Sequence, residues 1–377
     1  MTKQETLSNA KETVEKGARI LSVDALRGFD MFWIVGADSL CRALGEASDS
    51  GPAQFAARQL EHVPWEGFVF YDLIFPLFVF IIGMSIVFSL DKHIQQEGHA
   101  AAYKRIVRRF LLLFLLGAFY DKGISDLAHE SPFSGVLQRL SWCYLFTSLL
   151  YTRVKLRGLV SVCLAILIGY WALLTFVKAP GQPEVSFEKD KTIVNWVDYK
   201  FLPLKEEGQY SDPEGLLSTI PAVASCILGV LAGLTLRNPK IDGKKKVLFF
   251  LAAGVVLVAA GYLWGLQLPV IKRLWTPSYV LVAGGYSCLL VGIFYWFVDV
   301  LQYRKWALPF IWIGANPLTT YLGSEFIDFE SMGKRVVGGP IAGLFGQYGE
   351  LLTTTASIAF VFLFVRFLYN RKIFLRV

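Results

Sequence analysis

The chain has 377 residues, of which 54% are hydrophobic and only 18% charged, against about 25% charged in an ordinary soluble domain. A mean hydropathy of +0.48 with 30 Phe, 16 Tyr and 10 Trp excludes a soluble globular domain and indicates an all-α polytopic membrane protein with aromatic belts at its interfaces. The net charge of +7 comes from basic loops between apolar stretches, which sets topology and gives no reason to expect a nucleic-acid partner.

Taken from the N-terminus, residues 1–18 read as a polar cytoplasmic tail without the apolar centre of a signal peptide. Residues 19–377 read as one transmembrane domain. Ten segments are long and apolar enough to suggest spanning helices: 24–44, 67–90, 106–120, 133–151, 158–177, 215–236, 247–266, 277–299, 306–326 and 350–370. Lys and Arg gather at 3–27, 92–109, 153–157, 237–246, 304–305 and 371–376. These clusters share one side of a ten-helix topology, which puts both termini in the cytoplasm. The connection 178–214 is the one loop too long to be a mere connector; on this topology it is extracytoplasmic. The five cysteines, Cys41, Cys143, Cys163, Cys226 and Cys288, stand singly in apolar segments with no CxxC spacing. Neither a metal nor a disulfide framework is expected.

Ionisable groups inside spanning helices are costly and mark function or structural ion pairs. Asp24, Arg27, Asp30 and Asp38 fall on the first helix, within a face roughly 120° wide at the helical repeat. Asp24–Arg27 and Arg27–Asp30 have the i,i+3 spacing at which the arginine is neutralised locally. A packing ion pair and the lining of an internal cavity are both compatible with that pattern. A second set lies towards the exterior. His62 and Trp65 precede the second helix, Asp72 sits one to two turns inside it, Gln138 and Arg139 lie at similar depth in the fourth, and Asn316 is near the middle of the ninth. Such a lining suggests a pocket open to the exterior and continued inward along the first helix. His62 is the candidate for chemistry, because a neutral imidazole is available near pH 7 as nucleophile or base. His93, His99 and His129 fall in polar loops, where a solvated role is the default. Asp72, ten residues beyond His62, is about 15 Å away if the stretch between is helical, and touches it only if residues 62–66 fold back over the helix end.

The stretch HVPWEGFVFYDLIFPLFVFIIG (62–83) resembles the pattern His-x-x-Trp-x-Gly…Asp-Leu-x-Phe-Pro of the heparan-α-glucosaminide N-acetyltransferase family, whose bacterial members include the NagX-type proteins of amino-sugar use. Further matches are RILSVDALRGFDMF (19–32), SGVLQRLSWCYLF (134–146), SDPEGLLSTIPAVASCILGVLAG (211–233), LWTPSYVLVAGGYS (274–287) and IGANPLTTYLGSE (313–325). The resemblance implies transfer of the acetyl group of cytosolic acetyl-CoA to the amine of glucosamine or a related amino sugar on the periplasmic side of a bacterial inner membrane, with His62 as the active-site histidine and homodimers as the assembly. Glu66 stands where the animal enzymes have Asn, a departure expected to alter acceptor recognition.

On this reading Asp72 joins His62 as a catalytic residue, holding the acceptor's ammonium or hydroxyls, and Trp65, Glu66, Asp38, Gln138, Arg139 and Asn316 surround the acceptor, with Arg139 or Asn316 as oxyanion donor. The anionic donor requires cations on the inner face. KRIVRR (104–109), with Lys104, Arg105 and Arg108, and RNPKIDGKKK (237–246), with Lys244, offer them, and Asp24 and Arg27 open the route outwards. Two other readings use the same polar cavity: a carrier of amino sugars without chemistry, and an O-acetyltransferase of a surface glycan. SVDALRGFD (22–30) is similar to the start of the acyltransferase-three group, but that group's first helix carries a histidine and this one does not.

Overall fold

The computed structural model describes residues 20–122, 135–202 and 213–374. The tail 1–18, the loop position of His129 and residues 203–212 of the 178–214 connection lie outside the described residues. The described residues are mostly helical, and among them the one extended pairing is an isolated antiparallel bridge between Glu66 and Ile271.

Helix α1 (Leu21–Phe32) ends in a π-helical turn, Trp33–Ala37, that holds Gly36 at φ +127°. That backbone conformation favours glycine, and a π-turn of this kind bends the axis. The predicted first helix is therefore two pieces, α1 and α2 (Asp38–Ala47), followed by α3 (Gly51–Gln59). Helix α4 (Phe70–Lys122) takes in the second and third predicted segments, which meet at Gly98 (φ +85°, ψ 176°). Then come α5 (Val136–Arg153), α6 (Leu156–Phe176), α7 (Ile193–Phe201), α8 (Thr219–Arg237), α9 (Gly243–Gly265) and α10 (Pro277–Tyr295). A π-helical turn, Trp296–Val300, extends α10. The ninth predicted segment is interrupted: α11 (Leu308–Ala315) stops at Asn316, and α12 (Pro317–Phe326) starts with the proline that cannot continue the hydrogen-bond ladder. Short α13 (Phe329–Val337) and α14 (Pro340–Leu344) lead into α15 (Gly349–Asn370).

Among the described residues, six helices are long and apolar enough to cross a membrane: Phe70–Tyr120, Leu156–Phe176, Thr219–Arg237, Gly243–Gly265, Pro277–Val300 and Gly346–Asn370. The remaining predicted segments lie on α1–α2, α5 and α11–α12, which are either broken or carry buried polar side chains.

Helix α4 stands at the centre. Val79, Ile86 and Val87 belong to one buried cluster with Leu137, Tyr144, Ile227, Trp275 and Tyr279. Leu77, Phe80 and Met84 belong to another with Leu26, Phe250 and Phe294. Because residues 73–90 of α4 are apolar around nearly the whole circumference, they can bury several faces at once. It meets α8 backbone to backbone: a Cβ on Gly83 would overlap the Cys226 carbonyl, and one on Gly229 the Phe80 carbonyl. Small residues at such crossings are how helices pack tightly where burial from water does not drive association.

Candidate active site

Residues 61–69 form no helix, and Gly67 turns the chain at φ +126°. The Gly67 N–H donates to the Val270 carbonyl at 2.9 Å, and with the Glu66–Ile271 bridge this ties the segment to the 266–276 connection. The fold-back brings His62 onto the head of α4. Its Nδ1 lies 2.8 Å from Asp72 Oδ1, and its ring stacks on Tyr71 with centroids 4.6 Å apart.

Asp72 is the third residue of α4, and its carboxylate reaches back to the N–H groups of Val69 (3.3 Å) and, at the limit of a hydrogen bond, Val63 (3.5 Å). This is the carboxylate half of a capping box, placed where the helix dipole favours an anion. The side chain of Asp72 is 2% exposed and that of His62 is 53% exposed. A buried carboxylate acceptor at Nδ1 favours the tautomer that carries its proton there, which leaves the lone pair on Nε2.

Helix α4 carries Pro76, which has no N–H to give the Asp72 carbonyl four residues back. The Tyr279 hydroxyl donates to that carbonyl instead, at 2.8 Å. Tyr279→Phe leaves a buried carbonyl without its donor, a loss of about 1–3 kcal/mol. Thermal unfolding in detergent or nanodiscs should show a lowered midpoint.

Lys272 completes the cluster. Its Nζ is 3.4 Å from Asp72 Oδ1 and 3.1 and 3.3 Å from His62 Nδ1 and Nε2. Burial pushes its ammonium below the usual lysine range, against the opposing pull of the Asp72 carboxylate.

Asp38 pairs with Arg42 (2.9 Å) and accepts from the Tyr71 hydroxyl (3.4 Å), so it reaches His62 through one ring. Trp65 donates its indole N–H to the Phe187 carbonyl at 2.7 Å, pinning the 178–191 stretch beside the site, while Glu66 is exposed. Arg139 is 1% exposed. It donates to Ser218 Oγ (2.5 Å) and the Gly215 carbonyl (3.3 Å) and lies 4.9 Å over the Trp275 ring. Trp275 in turn packs edge-on against Tyr279. Arg139 thus stands behind the wall, two rings from Asp72.

Gln138 is fully buried, and its amide has no hydrogen-bond partner among the described residues. Asn316 donates to the Ile373 carbonyl at 2.8 Å, at the C-terminal end of the chain and not to the His62 cluster.

Towards the other end of α1, Arg27 lies 3.6 Å from Asp24 and donates to Ser85 Oγ (2.7 Å) and the Gly314 carbonyl (3.4 Å). The expected Arg27–Asp30 pair is not formed: Asp30 is fully buried, with neither oxygen hydrogen-bonded among the described residues. Arg27 is drawn instead to acceptors on α4 and α11. Lys104, Arg105, Arg108 and Lys244 are exposed. Lys104 and Arg108 line a groove of about 590 Å³ with Tyr103, Val107, Leu111 and Leu112, which does not include the His62 cluster.

Sequence reasoning missed Lys272, Tyr71 and Tyr279. Tyr71 neighbours Asp72, and Lys272 stands just ahead of the LWTPSYVLVAGGYS motif, but nothing local joins that lysine to His62, 210 positions away.

Residues 19–201, which hold His62 and Asp72, match a family model described as "Domain of unknown function (DUF5009)". The chain is also similar to two curated proteins, both called "Heparan-alpha-glucosaminide N-acetyltransferase". It is 27% identical to the Homo sapiens protein over 325 residues, covering 71% of this chain and 49% of that one. To the Mus musculus protein it is 27% identical over 327 residues, with the same coverage of 71% and 49%. The chain spans about half the length of the curated relatives it matches.

Proposed function

Because the chain is a relative of the heparan-α-glucosaminide N-acetyltransferases, we propose that it is a transmembrane acetyltransferase. In this proposal the acetyl group of cytosolic acetyl-CoA passes to the amine of glucosamine or a related amino sugar on the opposite, periplasmic face of a bacterial inner membrane. The observation that carries the reading is the dyad of a half-exposed His62 and a buried Asp72, 2.8 Å apart.

Asp72 holds the Nδ1 proton, so Nε2 presents its lone pair. In the covalent route Nε2 attacks the thioester carbonyl, the C–S bond breaks and CoA leaves as a thiolate. The amine then attacks the acetyl-imidazole, the Nε2–C bond breaks, and the amine's proton goes to solvent. In the direct route Nε2 takes the amine proton as the nitrogen attacks the thioester itself, and the C–S bond then breaks with CoA leaving as a thiolate. Both need the same ring in the same tautomer.

The donor's path is proposed along the seam of α1 and α2 with α4. Arg27 meets Ser85 at one end and Asp38 meets Tyr71 at the other. Those two α4 positions are fourteen residues apart, or about 21 Å of helix. Asp30 lies on α1 between Arg27 and Asp38 with two unused acceptor oxygens, and a pantetheine amide N–H is the kind of donor it lacks. The donor's phosphates are given to the exposed cations Lys104, Arg105, Arg108 and Lys244. Both termini are placed in the cytoplasm on the strength of the basic loops.

The test is purified protein in nanodiscs with acetyl-CoA, with and without glucosamine. Free CoA released only in the presence of the amine supports the reading. Sugar uptake into proteoliposomes without CoA turnover would replace it with a carrier. Acetylation of N-acetylglucosamine but not of glucosamine would replace it with O-acetyl transfer.

A further inference from the structure

We infer that Lys272 is the oxyanion donor of the acyl transfer, a catalytic group beside His62 and Asp72; the inference rests on the proposed function. A tetrahedral intermediate at a thioester carbonyl carries negative charge on oxygen, and a site that speeds its formation must hold a donor where that oxygen will sit. The two candidates legible in the sequence stand away from His62: Arg139 lies behind the Trp275 and Tyr279 rings, with its Nη2 on Ser218 and Gly215, and Asn316 donates to Ile373.

Lys272 is placed for the task. Its Nζ is nearly equidistant from the two ring nitrogens of His62, at 3.1 and 3.3 Å. A single atom that close to both lies over the imidazole face, because a point in the ring plane at those distances would collide with the carbon between them. The ammonium therefore leaves the in-plane lone pair of Nε2 free. A carbonyl carbon approaching Nε2 in that plane can turn its oxygen out of the plane, to the side where Nζ sits.

The ammonium has three protons. One faces Asp72 Oδ1 at 3.4 Å, which leaves donors for an incoming oxygen. Its side chain is only 24% exposed, so its field is less screened than that of a surface lysine. The loop beneath it is fixed before substrate arrives. The Lys272 carbonyl accepts from Trp275 N–H (2.9 Å), the Val270 carbonyl from Gly67 N–H (2.9 Å), and Thr276 Oγ1 accepts from Ile271 N–H (3.2 Å). A donor held in this way costs little reorganisation when charge develops. Chemically, the thioester C=O bond becomes C–O⁻ as the Nε2–C or amine N–C bond forms. The ammonium donates a hydrogen bond without giving up its proton, and the charge is discharged when the C–S bond breaks.

The test compares Lys272→Met, Lys272→Gln and Lys272→Arg with the unaltered protein in nanodiscs, reading kcat and KM separately for acetyl-CoA and glucosamine, with thermal unfolding as a check on the fold. The inference expects kcat of the Met and Gln variants to fall about 10²–10³-fold with KM for both substrates nearly unchanged, and Arg to recover at least about tenfold of that loss. An unchanged kcat, a defect confined to KM, or an Arg variant no better than Met in a folded protein would each overturn it. Absence of turnover in the unaltered protein with any amine would sink the acetyltransferase reading itself. Normal turnover there together with a fully active Lys272→Met would remove only the role of the lysine.

Discussion

His62→Ala is expected to abolish acetyl transfer while leaving the protein folded, a fall of at least about 10³-fold in CoA release at saturating acceptor. Both halves of the expectation come from the same geometry. The imidazole is half exposed and held by one carboxylate, one stacked ring and the Lys272 ammonium, so its removal empties little of the core. Asp72 keeps Lys272 and the Val69 N–H as partners, so no buried charge is stranded. The unfolding midpoint should therefore move little. The chemistry has no substitute, because no other described imidazole lies in the cluster. Added imidazole should restore part of the rate, since the vacated space opens to solvent. An alanine variant with near-normal turnover would remove His62 from the reaction.

Asp72→Asn is expected to lower kcat by about 10²–10⁴-fold, as loss of the partner that fixes a catalytic histidine's tautomer does in hydrolytic triads. The amide keeps the shape of the carboxylate but not its charge, and it can turn an N–H towards Nδ1, which would push the ring proton to Nε2 and remove the nucleophilic lone pair. Unlike the His62 change, this one also weakens the fold. Lys272 loses its anion and the first turn of α4 loses a charged cap, together about 1–3 kcal/mol. Rate and unfolding measured on the same preparation should show both effects. A large fall in stability with unchanged kcat would make Asp72 a helix cap and nothing more.

The helical membrane architecture is legible in the sequence because hydropathy over long windows is a strong signal, and it places His62 at the head of a spanning helix. The His62–Asp72 contact was legible only as a condition. Ten helical residues would hold the two about 15 Å apart, and the contact exists because Pro64 and Gly67 lie in a stretch that does not continue the helix. The break at Asn316–Pro317 has a local signature in the Asn-Pro dipeptide, whereas the π-turn at Trp33–Ala37 rests on one glycine in an otherwise helical pattern. Arg27 shows the limit of spacing rules: i,i+3 geometry offered both Asp24 and Asp30, and tertiary acceptors on Ser85 and Gly314 decided between them. Lys272 was out of reach for a different reason. Its partners are set by how the 266–276 connection docks on residues 66–67, and no local periodicity encodes a contact across that separation.

The account depends on an acyl group delivered from one aqueous face and accepted at the other by way of His62. Sealed proteoliposomes with a defined protein orientation test this directly: acetyl-CoA is supplied at the face proposed to be cytoplasmic and glucosamine at the opposite face, then the two are exchanged, then both are placed on one side. The account predicts N-acetylglucosamine formation only in the first arrangement, and none there with His62→Ala. Product formed solely when donor and acceptor share a compartment would contradict it.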